Sequence, residues 1–191
     1  MKKISIIVPV YNEEKTVGTM IEKLKSVELP LEKEIIVVDD KSADNSLNIL
    51  KKLEDIILLK HDKNMGKGAA VKTGLDIANG DIIMIQDADL EYSPKDIAGL
   101  IKPIIERKCE VVYGSRFLKK GNNRWKIPSH YIGNKLLSFL TTLLYGCKII
   151  DMETCYKIFS KGAMEKIKKA GINAKGFEFE PEITAKTLKL G

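Results

Sequence analysis

The sequence predicts an α/β protein built on a doubly wound, mostly parallel sheet with helices on both faces. Three observations carry that expectation. Short apolar, β-branched runs alternate along the chain with segments of helical period. Those runs are apolar throughout rather than at alternate positions, as strands are when both sides of a sheet are covered. Polar clusters fall where the runs stop, and in such a sheet the carboxyl ends of the strands form the edge where ligands bind.

The strand-like runs lie at 4–8, 35–39, 56–59, 82–85 and 111–113. Helical segments fall between them at 14–26, 44–54, 67–78 and 94–107. Asp44 and Ser93 are placed to cap two of these helices, and Pro94 suits a first helical position, where its missing N–H has no partner to lose. Strand and helix in alternation make crossovers and a parallel sheet. No repeat, low-complexity linker or shift of composition divides the 191 residues, so one domain spanning 1–191 is expected, with room for a full core.

Composition narrows the class. Apolar residues at 44% and charged residues at 30% are those of an ordinary globular chain. No apolar run approaches the ~20 residues of a membrane span, and the first run meets Pro9 and Asn12 too soon for a signal-peptide core. Cys109, Cys147 and Cys155 have no CxxC spacing and an odd count, which suits a reduced, intracellular protein with Cys147 and Cys155 as small core residues. The net charge of +6 is concentrated at Lys102, Arg107, Lys108, Arg116, Lys119, Lys120, Arg124, Lys126 and Lys135. That patch suits phosphate groups or an anionic membrane surface. It has no interleaved aromatic platform, so nucleic acid is not an expected partner.

The chemistry concentrates at the strand ends. The run at 82–85 passes into Asp87, Asp89 and Glu91, three carboxylates at alternating positions. Unpaired they repel, and they become favourable around a hard cation such as Mg²⁺ or Mn²⁺ that shares its oxygens with a substrate's phosphates; a solvated acidic turn is the plain alternative. After the first strand, Tyr11 can face a flat ring and Glu13 can accept from its N–H groups, while Asp40 ends the second strand where a ribose or base would bind. Gly66, Lys67 and Gly68 form a loop entering a helix, a place for backbone to approach an anion and for Lys67 to add a point charge toward phosphate. Gly114-Ser115-Arg116 leaves an arginine at the same edge, able to fork onto phosphate. Neither GxGxxG nor a Walker loop is present, which disfavours dinucleotide oxidoreductases and P-loop NTPases.

The set as a whole resembles family 2 glycosyltransferases of the GT-A (Rossmann-like) fold, in the branch similar to dolichyl- and polyprenyl-phosphate sugar synthases. The resemblance runs through Ile-Val-Pro-Val-Tyr-Asn-Glu, Val-Val-Asp-Asp-Lys-Ser, Asn-Met-Gly-Lys-Gly, Asp-Ala-Asp, Gly-Ser-Arg and the segment from Asp151 to Lys157. It implies that Pro9, Tyr11, Glu13, Val38 and Asp40 hold the nucleoside and that Asp87 and Ala88 line the nucleotide site. Asp89 and Glu91 would coordinate Mg²⁺ or Mn²⁺, and Arg116 would contact phosphate. It further implies a nucleotide-sugar donor of the UDP-glucose or GDP-mannose type, a lipid-phosphate acceptor, inversion at the anomeric carbon, and a peripheral place at the cytoplasmic membrane face. Asp151 is either a base for a hydroxyl acceptor or an organiser for a phosphate one, and Lys157 either meets the acceptor phosphate or is solvated. Lys41 stands where the family often has glycine, and Glu91 where mannosyl enzymes often have glutamine, which weakens a mannose assignment. Relatives usually add a closing strand and membrane-associated helices, which this chain is expected to lack.

The stretch 129–147 bears on the acceptor. Ile132, Leu136, Phe139, Leu140 and Leu143 share one helical stripe, widened by Leu137 and Leu144, with Trp125 and Tyr131 nearby. Such a helix suits a membrane interface, or packing onto the sheet.

Overall fold

A computed structural model describes residues 1–117, 128–176 and 178–190, the first four of the second stretch as helical backbone only. The chain runs β1 (Lys3–Val10), α1 (Val17–Ser26), β2 (Glu32–Asp39), α2 (Ser46–Leu50), β3 (Ile57–Lys60), α3 (Lys67–Ile77) and β4 (Ile82–Ile85). A 3-10 turn at Pro94–Asp96 opens α4 (Ile97–Ile105), followed by β5 (Val111–Tyr113), α5 (Pro128–Tyr145), β6 (Lys157–Ser160), α6 (Lys161–Lys169) and α7 (Phe179–Leu190).

The strands order as β3-β2-β1-β4-β6-β5. The expected parallel sheet is present in β3, β2, β1 and β4. β6 is the departure: it enters antiparallel between β4 and β5. The runs are apolar throughout because both faces are covered. On one face Ile4, Ile6, Val8, Val37, Met84 and Ile158 meet α1 and α4 through Met20, Ile21, Ile97 and Ile101. On the other, Ile7, Ile83, Ile85 and Phe159 meet α3, α6 and α7 through Val71, Met164 and Phe179. This double covering is the doubly wound arrangement that the sequence predicts.

Helix ends differ in detail from expectation. α1 starts at Val17 rather than near 14, since Thr16 and Val17 first close a turn onto the Glu13 carbonyl. α2 keeps only five residues. Asp44 does not occupy the cap position, which falls on Asn45; its carboxylate takes the N–H of Ser46 at 2.9 Å and that of Glu14 at 3.0 Å, tying the first loop to the second. Ser93 makes no capping bond, whereas Pro94 does take the first helical position. Cys155 is buried as expected, but Cys147 is exposed rather than a core residue. Among the described residues no helix is long and apolar enough to cross a membrane.

Candidate active site

The carboxyl ends of β1, β2 and β4 meet the start of α3 around a cavity of about 450 Å³. Pro9, Tyr11 and Glu13 come from the first, Asp40 from the second, and Asp87, Ala88 and Asp89 from the third; α3 adds Lys67. Tyr11 leaves about half of its side chain open to a ring. Val38 is not brought there: it is fully buried, in a small apolar group with Ile36 and Ala70 that lies under the cleft.

Asp40 lines the cleft, and both of its oxygens are engaged by the loop before α3. One oxygen accepts the Met65 N–H at 2.9 Å and lies 2.7 Å from His61 Nδ1, and the other accepts the Gly66 N–H at 2.7 Å. The carboxylate thus folds the loop that delivers Lys67. The glycines of that loop answer to backbone, not to an open phosphate cradle. Gly66 has φ +92°, and a Cβ there would lie 2.3 Å from the Lys175 carbonyl oxygen; one on Gly68 would lie 2.5 Å from that of Ala174. The Ala69 N–H donates to the Lys175 carbonyl at 3.1 Å. The segment 174–176 therefore packs against the start of α3, and its Gly176 lines the cleft.

Lys67 is neither solvated nor aimed at open space. Its ammonium lies 2.8 and 2.9 Å from the two Asp87 oxygens and 3.0 Å from Glu180 Oε1. Burial works against its charge, but Asp87 and Glu180 outweigh it and hold the pKa above the usual lysine range.

Beyond Asp87 the chain turns sharply, with Leu90 at φ +61° and the Glu91 N–H donating to Asp89 Oδ1 at 2.9 Å. Partial burial raises the Glu91 carboxyl above its ordinary pKa; the Arg116 charge lowers it, and the Asp89, Asp87 and Asp151 carboxylates raise it further. Crowded negative charge of this kind is what a divalent cation relieves. Among the described residues no three His, Cys, Asp or Glu groups gather to hold a metal unaided. Hard carboxylate oxygens in that number fit an ion that completes its shell from a ligand's phosphates.

Arg116, from the turn after β5, stands beside this cluster. Its Nη1 lies 3.5 Å from Glu91, and its guanidinium sits 5.9 Å over the Tyr92 ring. The other side of the guanidinium is clamped by Asp151. Oδ2 accepts the Arg116 backbone N–H at 3.0 Å and Nε–H at 2.9 Å; Oδ1 accepts Nη2–H at 2.7 Å and the Asn134 amide at 2.7 Å. Burial opposes ionisation of Asp151, yet these donors and the Arg116 charge hold its carboxyl below the ordinary range. Glu91 and Arg116 also line a second cavity of about 620 Å³, shared with the packed rings of Tyr92 and Tyr156.

Lys157 is a correction to both readings made of it. It is fully buried, donating to the carbonyls of Met152 and Thr154 and to the Glu180 carboxylate. It meets neither solvent nor an acceptor. Sequence reasoning missed Glu180 and Asn134, whose partners lie far along the chain. The signal available in the sequence was the place of Glu180 directly after Phe179 in the alternating run Phe177-Glu178-Phe179-Glu180. Lys119, Lys120, Arg124, Trp125, Lys126 and the side chain of Tyr131 fall outside the described residues.

The family model described as Glycosyl transferase family 2 matches residues 5–168. The chain belongs to glycosyl transferase family 2. Among curated relatives, UDP-N-acetylglucosamine–dolichyl-phosphate N-acetylglucosaminyltransferase of Methanococcus voltae is 36% identical, covering 99% of this chain and 82% of its own length. Dodecaprenyl-phosphate galacturonate synthase of Rhizobium johnstonii is 32% identical over 88% of this chain, which spans about half (51%) of that relative. A crystal structure of Mycobacterium tuberculosis glucosyl-3-phosphoglycerate synthase with Mn²⁺, uridine diphosphate and phosphoglyceric acid superposes with a TM-score of 0.76 at 21% identity. It covers 99% of this family 2 chain, which in turn spans 65% of that structure. The likeness at that identity establishes the shared GT-A fold.

Proposed function

We propose that this family 2 glycosyltransferase moves a sugar from a uridine-diphosphate sugar to the phosphate of a polyprenyl or dolichyl lipid, with Mg²⁺ or Mn²⁺. One observation carries the reading: three strand ends and Lys67 converge on one cleft, with Asp87, Asp89 and Glu91 leading from it to Arg116. Tyr11 offers the base a ring, Pro9, Glu13 and Ala88 shape the pocket around it, and Asp40 fixes the loop on its far side. Asp89 and Glu91 would hold the metal, which supplies countercharge to a diphosphate. Arg116 stabilises charge on the departing or incoming phosphate.

The acceptor phosphate oxygen attacks the anomeric carbon from the face opposite the leaving group. The bond from that carbon to the diphosphate breaks, and the electron pair leaves with the nucleoside diphosphate. An acceptor that is already an anion needs no base. That agrees with an Asp151 whose two oxygens each take two donors, and we assign it as the organiser of Arg116. The uridine assignment follows the methanococcal relative, whose name gives a UDP-sugar and a dolichyl phosphate. Support for a lipid surface comes from α5, which leaves Ile132, Leu136, Phe139, Leu143 and Leu144 more than half exposed along one helix.

Thermal unfolding with a panel of nucleotides and nucleotide sugars, each with Mn²⁺, Mg²⁺ or chelator, tests the donor site. Ligand at 100-fold over its dissociation constant adds ~2.7 kcal/mol, or roughly 5–11 °C for a chain of this size. A rise confined to uridine nucleotides and dependent on metal is expected. A rise with guanosine nucleotides alone would reverse the donor assignment, and none at all would remove the site.

A further inference from the structure

Outside the family-matched residues 5–168, α7 sends Glu180 into the interior. Its carboxylate sits between the partly exposed Lys67 and the fully buried Lys157: one oxygen lies 3.0 Å from Lys67 Nζ and the other takes a hydrogen bond from Lys157. Lys67 in turn spans both oxygens of Asp87 in the cleft wall. The result is a chain of alternating charge, Asp87, Lys67, Glu180, Lys157, running from the cleft to β6. Lys157 closes it on the Met152 carbonyl at 3.0 Å and on that of Thr154, immediately after the Asp151 that clamps Arg116. Four charged groups packed together are a costly way to hold a core, since apolar residues of similar volume often stabilise as well or better. A role in placing the groups at its cleft end accounts for them.

We propose that Glu180 is a positioning residue of the cleft: it fixes the Lys67 ammonium so that Asp87 presents a set orientation to the bound nucleotide. Without Glu180, Lys67 has a single carboxylate and freedom to swing with it. The segment just before α7 reinforces the arrangement, because Lys175 accepts from Ala69 and packs on Gly66 and Gly68, on either side of Lys67. The effect on nucleotide rests on the reading of the cleft as a nucleotide site; the effect on Lys67 does not.

Glu180→Gln alone leaves Lys157 buried without an anion and is expected to fold poorly. The informative variant is the charge-balanced pair Glu180→Gln with Lys157→Met, which removes one charge of each sign. Two readouts are taken on the full chain. The first is the nitrogen-15 NMR signal of the Lys67 ammonium, identified by its loss in Lys67→Met; a fixed, ion-paired ammonium exchanges slowly with water and is seen, a mobile one is not. The second is the dissociation constant for UDP with Mn²⁺. The double variant should lose the Lys67 signal and bind UDP about fivefold or more weakly. A Lys67 signal that persists overturns the proposal whatever happens to binding. A lost signal with unchanged UDP affinity overturns it as well, by detaching Glu180 from the site. If the wild-type chain shows the signal, the variant loses it, and neither binds UDP, Glu180 still positions Lys67 and the uridine reading alone has failed.

Discussion

Asp151→Asn tests the clamp on Arg116, because the geometry states what the substitution removes. Each Asp151 oxygen accepts two hydrogen bonds, and all four come from N–H donors of Arg116 or Asn134. Whichever way the new amide turns, its NH₂ faces two donors, so two bonds are lost along with the charge that Arg116 faces. Breaking a buried charge pair costs ~3–5 kcal/mol. The lower end applies here, since the Arg116 side chain keeps 16% exposure and retains Glu91 at 3.5 Å. A loss of ~3 kcal/mol corresponds to a fall in Tm of roughly 6–12 °C. The pH dependence fixes the cause. A carboxyl whose folded pKa is depressed contributes stability above its unfolded pKa, and that contribution fades as pH falls through the folded value. The gap between wild type and Asp151→Asn should therefore be full at neutral pH and narrow below about pH 4. Scanning calorimetry across that range is the assay. A gap under ~2 °C at pH 7, or one that stays constant into acid, would refute the clamp.

Four further outcomes follow from the structure. Gly66→Ala adds a Cβ 2.3 Å from the Lys175 oxygen at φ +92°, so unfolding should show a loss of at least ~2 kcal/mol, from left-handed strain plus displacement of 174–176. Gly99→Ala, in α4 with open space around it, should raise stability by up to ~1 kcal/mol. Asp89→Ala, at an exposed position, should leave the unliganded Tm within a degree or two and abolish metal-dependent stabilisation by UDP; retained stabilisation would sink the metal assignment. Phe139→Glu with Leu143→Glu changes side chains that are 64% and 69% exposed. Flotation with anionic vesicles should show at least tenfold weaker binding, at an unchanged Tm.

The parallel half of the fold was legible because its signal is local. At 4–8, 35–39 and 82–85 the β-branched runs are buried on both faces in the structure as their composition requires. β6 was not legible. Lys157-Ile-Phe-Ser is four residues long and opens on a lysine, and it becomes a strand through pairing with β4 and β5. Its lysine is buried by a carboxylate 23 residues away, a distance no local pattern reports. The site divides along the same line. Strand-end residues such as Tyr11, Asp40 and Asp87 could be placed at one edge from topology alone, and the cleft gathers them. What their side chains do there depends on remote partners: Asp40 on the amides of Met65 and Gly66, Lys67 on Glu180, Arg116 on Asp151. Val38 shows the limit from the other side, since its neighbour Asp39 ends the strand but its own side chain points into the core with Ala70.

The most direct test of the central claim is to incubate the protein with a UDP-sugar panel, polyprenyl phosphate and Mn²⁺ and to identify both products. The account predicts a lipid-linked sugar of inverted anomeric configuration, formed in step with free uridine diphosphate. Release of pyrophosphate, with the nucleoside monophosphate left on the acceptor, would contradict it, as would uridine diphosphate released with no sugar on the lipid.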